Sequence, residues 1–227
     1  MELRVAQVMV EGPRRGGVQG QAQGGKQATR RLEFGKDGLQ PGDTLVMSKP
    51  LGTGVVMAAS MRNQCDGRVF NAAIASMLQA NDRASQMLSA LEIRGCTDIT
   101  GFGLLGHLYE MCEASRCAAR LNLDALPVLP GAEALSQLNI KSSLYPQNQA
   151  ALQSTPSMQW TAAIAKHPRF ALLFDPQTSG GLLAGIPGER LEQLNSDFYQ
   201  QFTVIGEVCA PEPGASPITF VSRSPLH

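Results

Sequence analysis

Aromatic side chains make up only 5% of this 227-residue chain and charged ones 17%. With few aromatics, a core must come from Leu, Ile, Val, Met and Ala, and a hydrophobic content of 43% is enough for one sizeable domain or slightly more. Nineteen basic residues balance nineteen acidic ones. The positive excess of a general nucleic-acid binder is therefore missing, and nucleic acid is not the expected partner. So little charge is sparse cover for a free surface and suits a chain with one face against a partner. Five cysteines, Cys65, Cys96, Cys112, Cys117 and Cys209, form no Cys-x-x-Cys pair. That argues against a zinc knuckle or a disulfide framework, and fits buried thiols in a reducing cytoplasm. No stretch approaches the ~20 apolar residues of a membrane span. Residues 1–10 carry Glu2 and Arg4 in place of a long apolar run, so no signal peptide is expected there.

Residues 11–31 form a zone of Gly, Gln and Arg without large apolar side chains. Such a segment buries too little surface to offset its ordering entropy, so residues 1–38 read as a flexible N-terminal segment. An arginine-rich RNA-binding arm is the alternative for 11–31. Order is expected from the Pro41-Gly42-Asp43 turn, giving a domain over 39–222. Strands are predicted at 44–48, 119–123, 170–174, 181–186, 203–208 and 218–221. Helices are predicted at 55–62, 70–91 with a break near Asn81-Asp82, 103–119, 132–138 and 191–201. Residues 140–160 read as polar and irregular, and 181–186 as a hairpin partner or neighbour of 170–174. Interleaved strands, helices and hairpins predict an α/β (α+β) fold with a mixed sheet covered by helices.

Three glycine-bearing turns flank short apolar runs: Lys49–Gly54, Thr97–Gly103 and Asp175–Gly181. Each combines glycine with a hydroxyl and a charged residue. Glycine lets backbone N–H groups approach a ligand, hydroxyls donate to phosphate oxygens, and carboxylates take hard cations. The most informative is Cys96-Thr97-Asp98-Ile99-Thr100-Gly101-Phe102-Gly103-Leu104-Leu105-Gly106-His107. It sets one carboxylate in a short polar turn ahead of an amphipathic helix, which suits a phosphate or nucleotide held through Mg²⁺. No Gly-x-x-x-x-Gly-Lys-Ser/Thr loop occurs. Gly101 to Gly106 matches Gly-x-Gly-x-x-Gly literally, but it follows a polar turn, and no clear acidic partner stands ~20 residues on at a strand end. Structural alternatives stand beside these readings. Asp98 or Thr100 can be a plain helix N-cap, Asp175 an ordinary strand-ending turn, Lys49 a solvated lysine, and His107 a core or boundary histidine.

The three turns in this order, with Pro41-Gly42-Asp43 before them and Val204-Ile205-Gly206-Glu207-Val208 after, resemble selenophosphate synthetase (selenide, water dikinase). The likeness spans about residues 39–209. The wider superfamily of aminoimidazole ribonucleotide synthetase-like proteins shares the plan with less of the Thr-Asp-Ile-Thr-Gly-Phe-Gly-Leu-Leu-Gly-His string. The resemblance implies the C-terminal domain of a two-domain, homodimeric enzyme. Its N-terminal ATP-binding barrel domain is expected to be absent from this chain, since residues 1–38 are too short for it and show no aspartate cluster. It implies ATP and Mg²⁺ as cofactors and selenide as substrate. Asp98 would complete the metal site, while Lys49, Gly52, Thr53, Thr97, Thr100, Gly101, Asp175, Thr178, Ser179 and Gly180 would line the ATP cleft. No catalytic residue is assigned to this half, which is expected to be inactive alone. Two rivals remain: another superfamily enzyme, of purine synthesis or hydrogenase maturation, and a non-catalytic binding module.

Overall fold

The computed structural model describes residues 34–222. The RNA-arm reading of 11–31 lies outside them, as does most of the flexible segment expected over 1–38. In chain order the elements are β1 (Thr44–Met47), α1 (Thr53–Met61), α2 (Gly67–Leu78), α3 (Asp82–Ala90), β2 (Cys96–Asp98), α4 (Gly103–Ser115) and β3 (Ala118–Asn122). There follow α5 (Ala132–Gln137), α6 (Tyr145–Gln153), α7 (Ala162–Ala165), β4 (Leu182–Ile186), α8 (Ser196–Gln201), β5 (Thr203–Cys209) and β6 (Ile218–Val221), with short 3₁₀ turns between some of them.

The strands form one six-stranded sheet in the order β2-β4-β1-β5-β3-β6. Its pairs are antiparallel except β3 with β6, so the sheet is mixed, as the sequence pattern requires. Both faces of β1 are covered, which is why its run is continuously apolar instead of alternating. Leu45 and Met47 pack with Leu121, Leu183, Ile205 and Val208 under the stripe Leu104, Leu105, Leu108 and Met111 of α4. Val46 faces the other way, with Ala184 and Ile186, against Ala84 and Leu88 of α3 and Phe198 of α8. A third cluster joins Val55, Val56 and Ala59 of α1 to Ala73 and to Ala132 and Leu135 of α5.

Several expectations are corrected. Residues 170–174 form a 3₁₀ helix, not a strand. Phe170 and Phe174 meet edge-to-face at 5.3 Å and both stack near Trp160. A short apolar run is ambiguous between a buried strand and a buried helical turn, and aromatic packing decided it. β4 consequently pairs with β1 and β2 and has no hairpin partner at 170–174. The segment 140–160 contains α6, whose Pro146 sits in the first turn, where a missing N–H costs no hydrogen bond. Finally, Thr97 and Asp98 belong to the edge strand β2, so Asp98 ends a strand and does not sit in a turn. Helix α4 also stops earlier than expected. Arg116 takes a left-handed φ of 52°, and the Cys117 N–H returns to the Cys112 carbonyl at 3.0 Å.

Candidate functional site

Strand direction brings the three glycine turns together. Met47 ends β1 opposite Leu183, and Asp98 ends β2 opposite Leu182. Leu182 and Leu183 open β4. The turn leaving β1, the turn leaving β2 and the turn entering β4 therefore occupy one end of the sheet.

The first and third turns lock together through buried side chains. Gln177 Oε1 accepts from the N–H groups of Gly52 (3.0 Å) and Thr53 (3.2 Å) and from Thr53 Oγ1 (3.1 Å). Thr53 Oγ1 in turn accepts from the Thr178 N–H at 2.9 Å. Asp175 Oδ2 accepts from the Val55 N–H at 3.1 Å. Burial pushes the Asp175 carboxyl up to about 6, against the opposing pull of the Val55 N–H and of Gln177. Lys49 is not the solvated lysine considered above. It is buried, and its Nζ donates to the carbonyls of Gln79 and Ser179, with burial lowering its pKa. Gly52 needs its glycine twice over: φ is 119°, and a Cβ would stand 2.4 Å from Ala132 Cβ.

The second turn is tied to the third by main chain. Ile99 N–H donates to Gly181 O at 2.8 Å and Gln177 N–H to Thr100 O at 3.0 Å. The backbones approach so closely that a Cβ on Gly180 would lie 2.0 Å from the Ile99 carbonyl. Asn148, on the unforeseen α6, donates to Gly101 O at 2.7 Å and to Phe174 O at 3.0 Å.

Behind this turn, Thr100 Oγ1 lies 3.1 Å from His107 Nε2, and His107 Nδ1 lies 3.1 Å from Glu110 Oε2, which is paired with Lys36 at 2.7 Å. A carboxylate at Nδ1 requires a proton there. In the neutral ring Nε2 is then the acceptor, and Thr100 donates its hydroxyl hydrogen to it. Burial lowers the His107 pKa, with Glu110 opposing the shift, which keeps the ring neutral near pH 7. His107 is thus a brace for the turn, a role its place beside Leu108 did not reveal.

Of the predicted residues, Asp98, Thr178 and Ser179 are exposed, and Thr100 and Gly101 partly so. Lys49, Gly52, Thr53, Thr97, Asp175 and Gly180 are buried. Gly101 has open space where a Cβ would stand. Phe102 caps α4 without a side-chain hydrogen bond and is 57% exposed. Among the described residues no group of three or more His, Cys, Asp or Glu side chains is placed to hold a metal. Asp98 fits a hard cation as one ligand of a set, not as a complete site. Sequence reasoning missed Gln177, Asn148 and the brace at His107. Gln177 stands inside the quoted Asp-Pro-Gln-Thr-Ser-Gly-Gly string, so only its partner was hidden.

Comparison with known proteins agrees with this geometry. Residues 40–216 match the family described as AIR synthase related protein, C-terminal domain. The chain is 36% identical over 155 residues to the selenide, water dikinase of Caldanaerobacter subterraneus subsp. tengcongensis, covering 68% of this chain and 44% of that one. It is 34% identical over 182 residues to the selenide, water dikinase of Dechloromonas aromatica, covering 78% and 51%. The chain thus spans about half the length of the curated relatives it matches. Among solved structures, thiamine-monophosphate kinase from Stenotrophomonas maltophilia K279a superposes with a TM-score of 0.57 at 15% identity, over 84% of this chain and 54% of that one. Hydrogenase maturation protein HypE in complex with ATP gives 0.57 at 16% identity, over 84% and 50%. These two likenesses establish the fold, and no activity is carried over from them. With a mixed six-stranded sheet, three interlocked glycine turns at one end of it and a family match over most of its length, the chain belongs to the AIR synthase related proteins as their C-terminal domain.

Proposed function

We propose that this chain is the C-terminal half of an ATP-dependent selenophosphate synthetase, converting selenide, ATP and water to selenophosphate, AMP and phosphate. The observation that carries the reading is the Asp98 carboxylate, exposed at the sheet end where the three turns converge. The names of the curated relatives supply the reaction. In this reading Asp98 gives one ligand to Mg²⁺, which would screen the polyphosphate charge while bound. Thr178 and Ser179 offer exposed hydroxyls to phosphate oxygens, beside the open backbone at Gly101. Thr100 has committed its hydrogen to His107, so its oxygen is left as an acceptor, suited to a cation or a donor and not to a phosphate oxygen. Lys49, Gly52, Thr53, Thr97, Asp175 and Gly180 act by fixing the turns in place. One carboxylate holds Mg²⁺ weakly, so the remaining ligands and the selenide-handling group belong to a complementary N-terminal half, through which the enzyme dimerises.

The test pairs this chain with the separately produced N-terminal half of the Dechloromonas aromatica relative. Calorimetry with Mg–ATP is expected to show heat for the mixture and little for this chain alone. Selenide-dependent AMP release should appear only in the mixture. Heat without selenide dependence favours another ATP-dependent enzyme of the family. No heat in the mixture, given demonstrated association of the halves, favours a binding module and overturns the reading.

A further inference from the structure

Helix α2 carries a wider apolar arc than the core uses. Val69 and Ala73, one turn apart, face the cluster built on α1 and α5. Phe70, Ile74 and Met77 follow at the i, i+4, i+7 spacing of one helix face, and Leu78 stands four residues after Ile74. Phe70, Ile74 and Met77 are half-buried, Leu78 is 80% exposed, and none of the four joins the three core clusters of the described residues. Arg68 is the one charged residue among the twelve of α2. An outward helix face is ordinarily charged and polar. One made of Phe, Ile, Met and Leu has the composition of the middle of a protein–protein interface. This face ends at the candidate site. Just past Leu78, the Gln79 carbonyl accepts from Lys49 Nζ, which also holds Ser179 O, and Asn81 Nδ2 donates to Gly180 O at 2.9 Å. The first and third glycine turns therefore fix the position of this end of α2.

We propose that this face of α2 is the docking surface for the N-terminal half of the enzyme, the body that brings further cation ligands toward Asp98. The inference rests on the reading of this chain as the C-terminal half of a synthetase. Three observations choose this occupant. The chain spans about half the length of the curated relatives it matches, so in that reading a body of comparable size needs a seat on it. The face leads into the end of the sheet where Asp98 stands, among the described residues, without the further ligands a cation needs. A second copy of this chain in the same place would add only a second set of the same turns. Finally, the single cation on α2 gives little attraction for anionic lipid, which sets this face apart from a helix lying on a membrane surface. Phe70 and Ile74 are the anchors of the contact, and Leu78, nearest the turns, has the most surface left to cover.

The test titrates the N-terminal half of the Dechloromonas aromatica relative, shown folded by circular dichroism, into this chain without nucleotide. Binding is expected. Leu78→Glu should weaken it at least ~10-fold and leave the unfolding midpoint of this chain unchanged, because the side chain is exposed. Ile74→Glu should weaken it further. Val221→Glu, on the far edge strand β6, should bind as the native chain does. Hydroxyl-radical footprinting gives a second measurement that needs no variant. The N-terminal half should protect Phe70, Met77 and Leu78 and leave Tyr199 of α8 open. The docking is overturned if the folded half does not bind, if both α2 variants bind as tightly as the native chain, or if the protection falls elsewhere. It is also overturned if this chain alone sediments as a dimer that Leu78→Glu dissociates, since the occupant is then a second copy. Leu78-dependent pelleting with phosphatidylglycerol vesicles would likewise assign the face to a membrane. Binding through α2 without selenide-dependent AMP release keeps the docking and removes the selenophosphate reading alone.

Discussion

Helices α1 and α4 both begin where the glycine turns converge, yet their first turns are finished in opposite ways. At α1, buried side chains from 120 or more residues away take the leading N–H groups: Gln177 holds Gly52 and Thr53, and Asp175 holds Val55. At α4, Phe102 gives no capping side chain, Gly101 stands in open space, and Asp98 is exposed just before the turn. Every helix start carries unpaired donors and partial positive charge. One of these two is closed by the protein itself and contributes to stability. The other has no side-chain cap, and in the proposed reading it is the one that faces the phosphate and its cation.

Four measurements sharpen or break that contrast. The largest effect is expected from Gln177→Ala, which orphans the buried donors of Gly52 and Thr53. A loss of about 3 kcal/mol is predicted from denaturant unfolding, in the range for breaking a buried network. An unchanged midpoint would mean that α1 is not closed by this side chain.

Next is the pH dependence of Asp175. Its carboxyl is raised to about 6 from an ordinary 3.8, so the folded state binds its proton more tightly than the unfolded state. This term favours the fold as pH falls from about 6 toward 3.8, by up to about 3 kcal/mol, and that gain is lost again as pH rises through 6. Carbon-13 NMR of the carboxyl should show a midpoint near 6, and Asp175→Asn should remove this component of the stability profile. A midpoint near 4 would deny the burial argument.

A smaller effect, about 1 kcal/mol, is predicted for His107→Phe, which removes the brace to Thr100 without emptying the space. Hydrogen exchange should quicken at residues 99–103 and stay unchanged at 52–56. Equal changes at both helix starts would erase the difference between them. The smallest effect on folding belongs to Asp98→Asn, within about 0.5 kcal/mol of the native chain, because the side chain is exposed. In the reconstituted mixture, however, it should abolish most of the Mg–ATP heat. Loss of stability without loss of binding would reverse the roles given to the two ends.

The pattern of what was legible follows from range. The stripe of α4 repeats over neighbouring turns, and β1 and β5 carry their own apolar runs, so local order displays them. That Asp98 would be open also followed from its residues. What closes α1 did not, because Gln177 meets Thr53 across 124 positions and nothing near either residue announces the other. Residues 170–174 failed for a different reason: five apolar residues satisfy a strand and a 3₁₀ turn equally, and the choice was made by Trp160 and Phe174. Helix α6 was hidden by Pro146, which reads as a breaker until its place in the first turn is known.

The sheet order has one more implication. Among the described residues β2 is an outermost strand, hydrogen-bonded to β4 on one flank and meeting just Gly35 on the other, through its bridge to Gly95 and the bond from Cys96 N–H. A carboxylate on a strand so placed is reachable sideways, by a body that slides against the rim without parting any pair of strands. Substitutions on such a visitor can retune what Asp98 meets while the interior that aims it stays as it is.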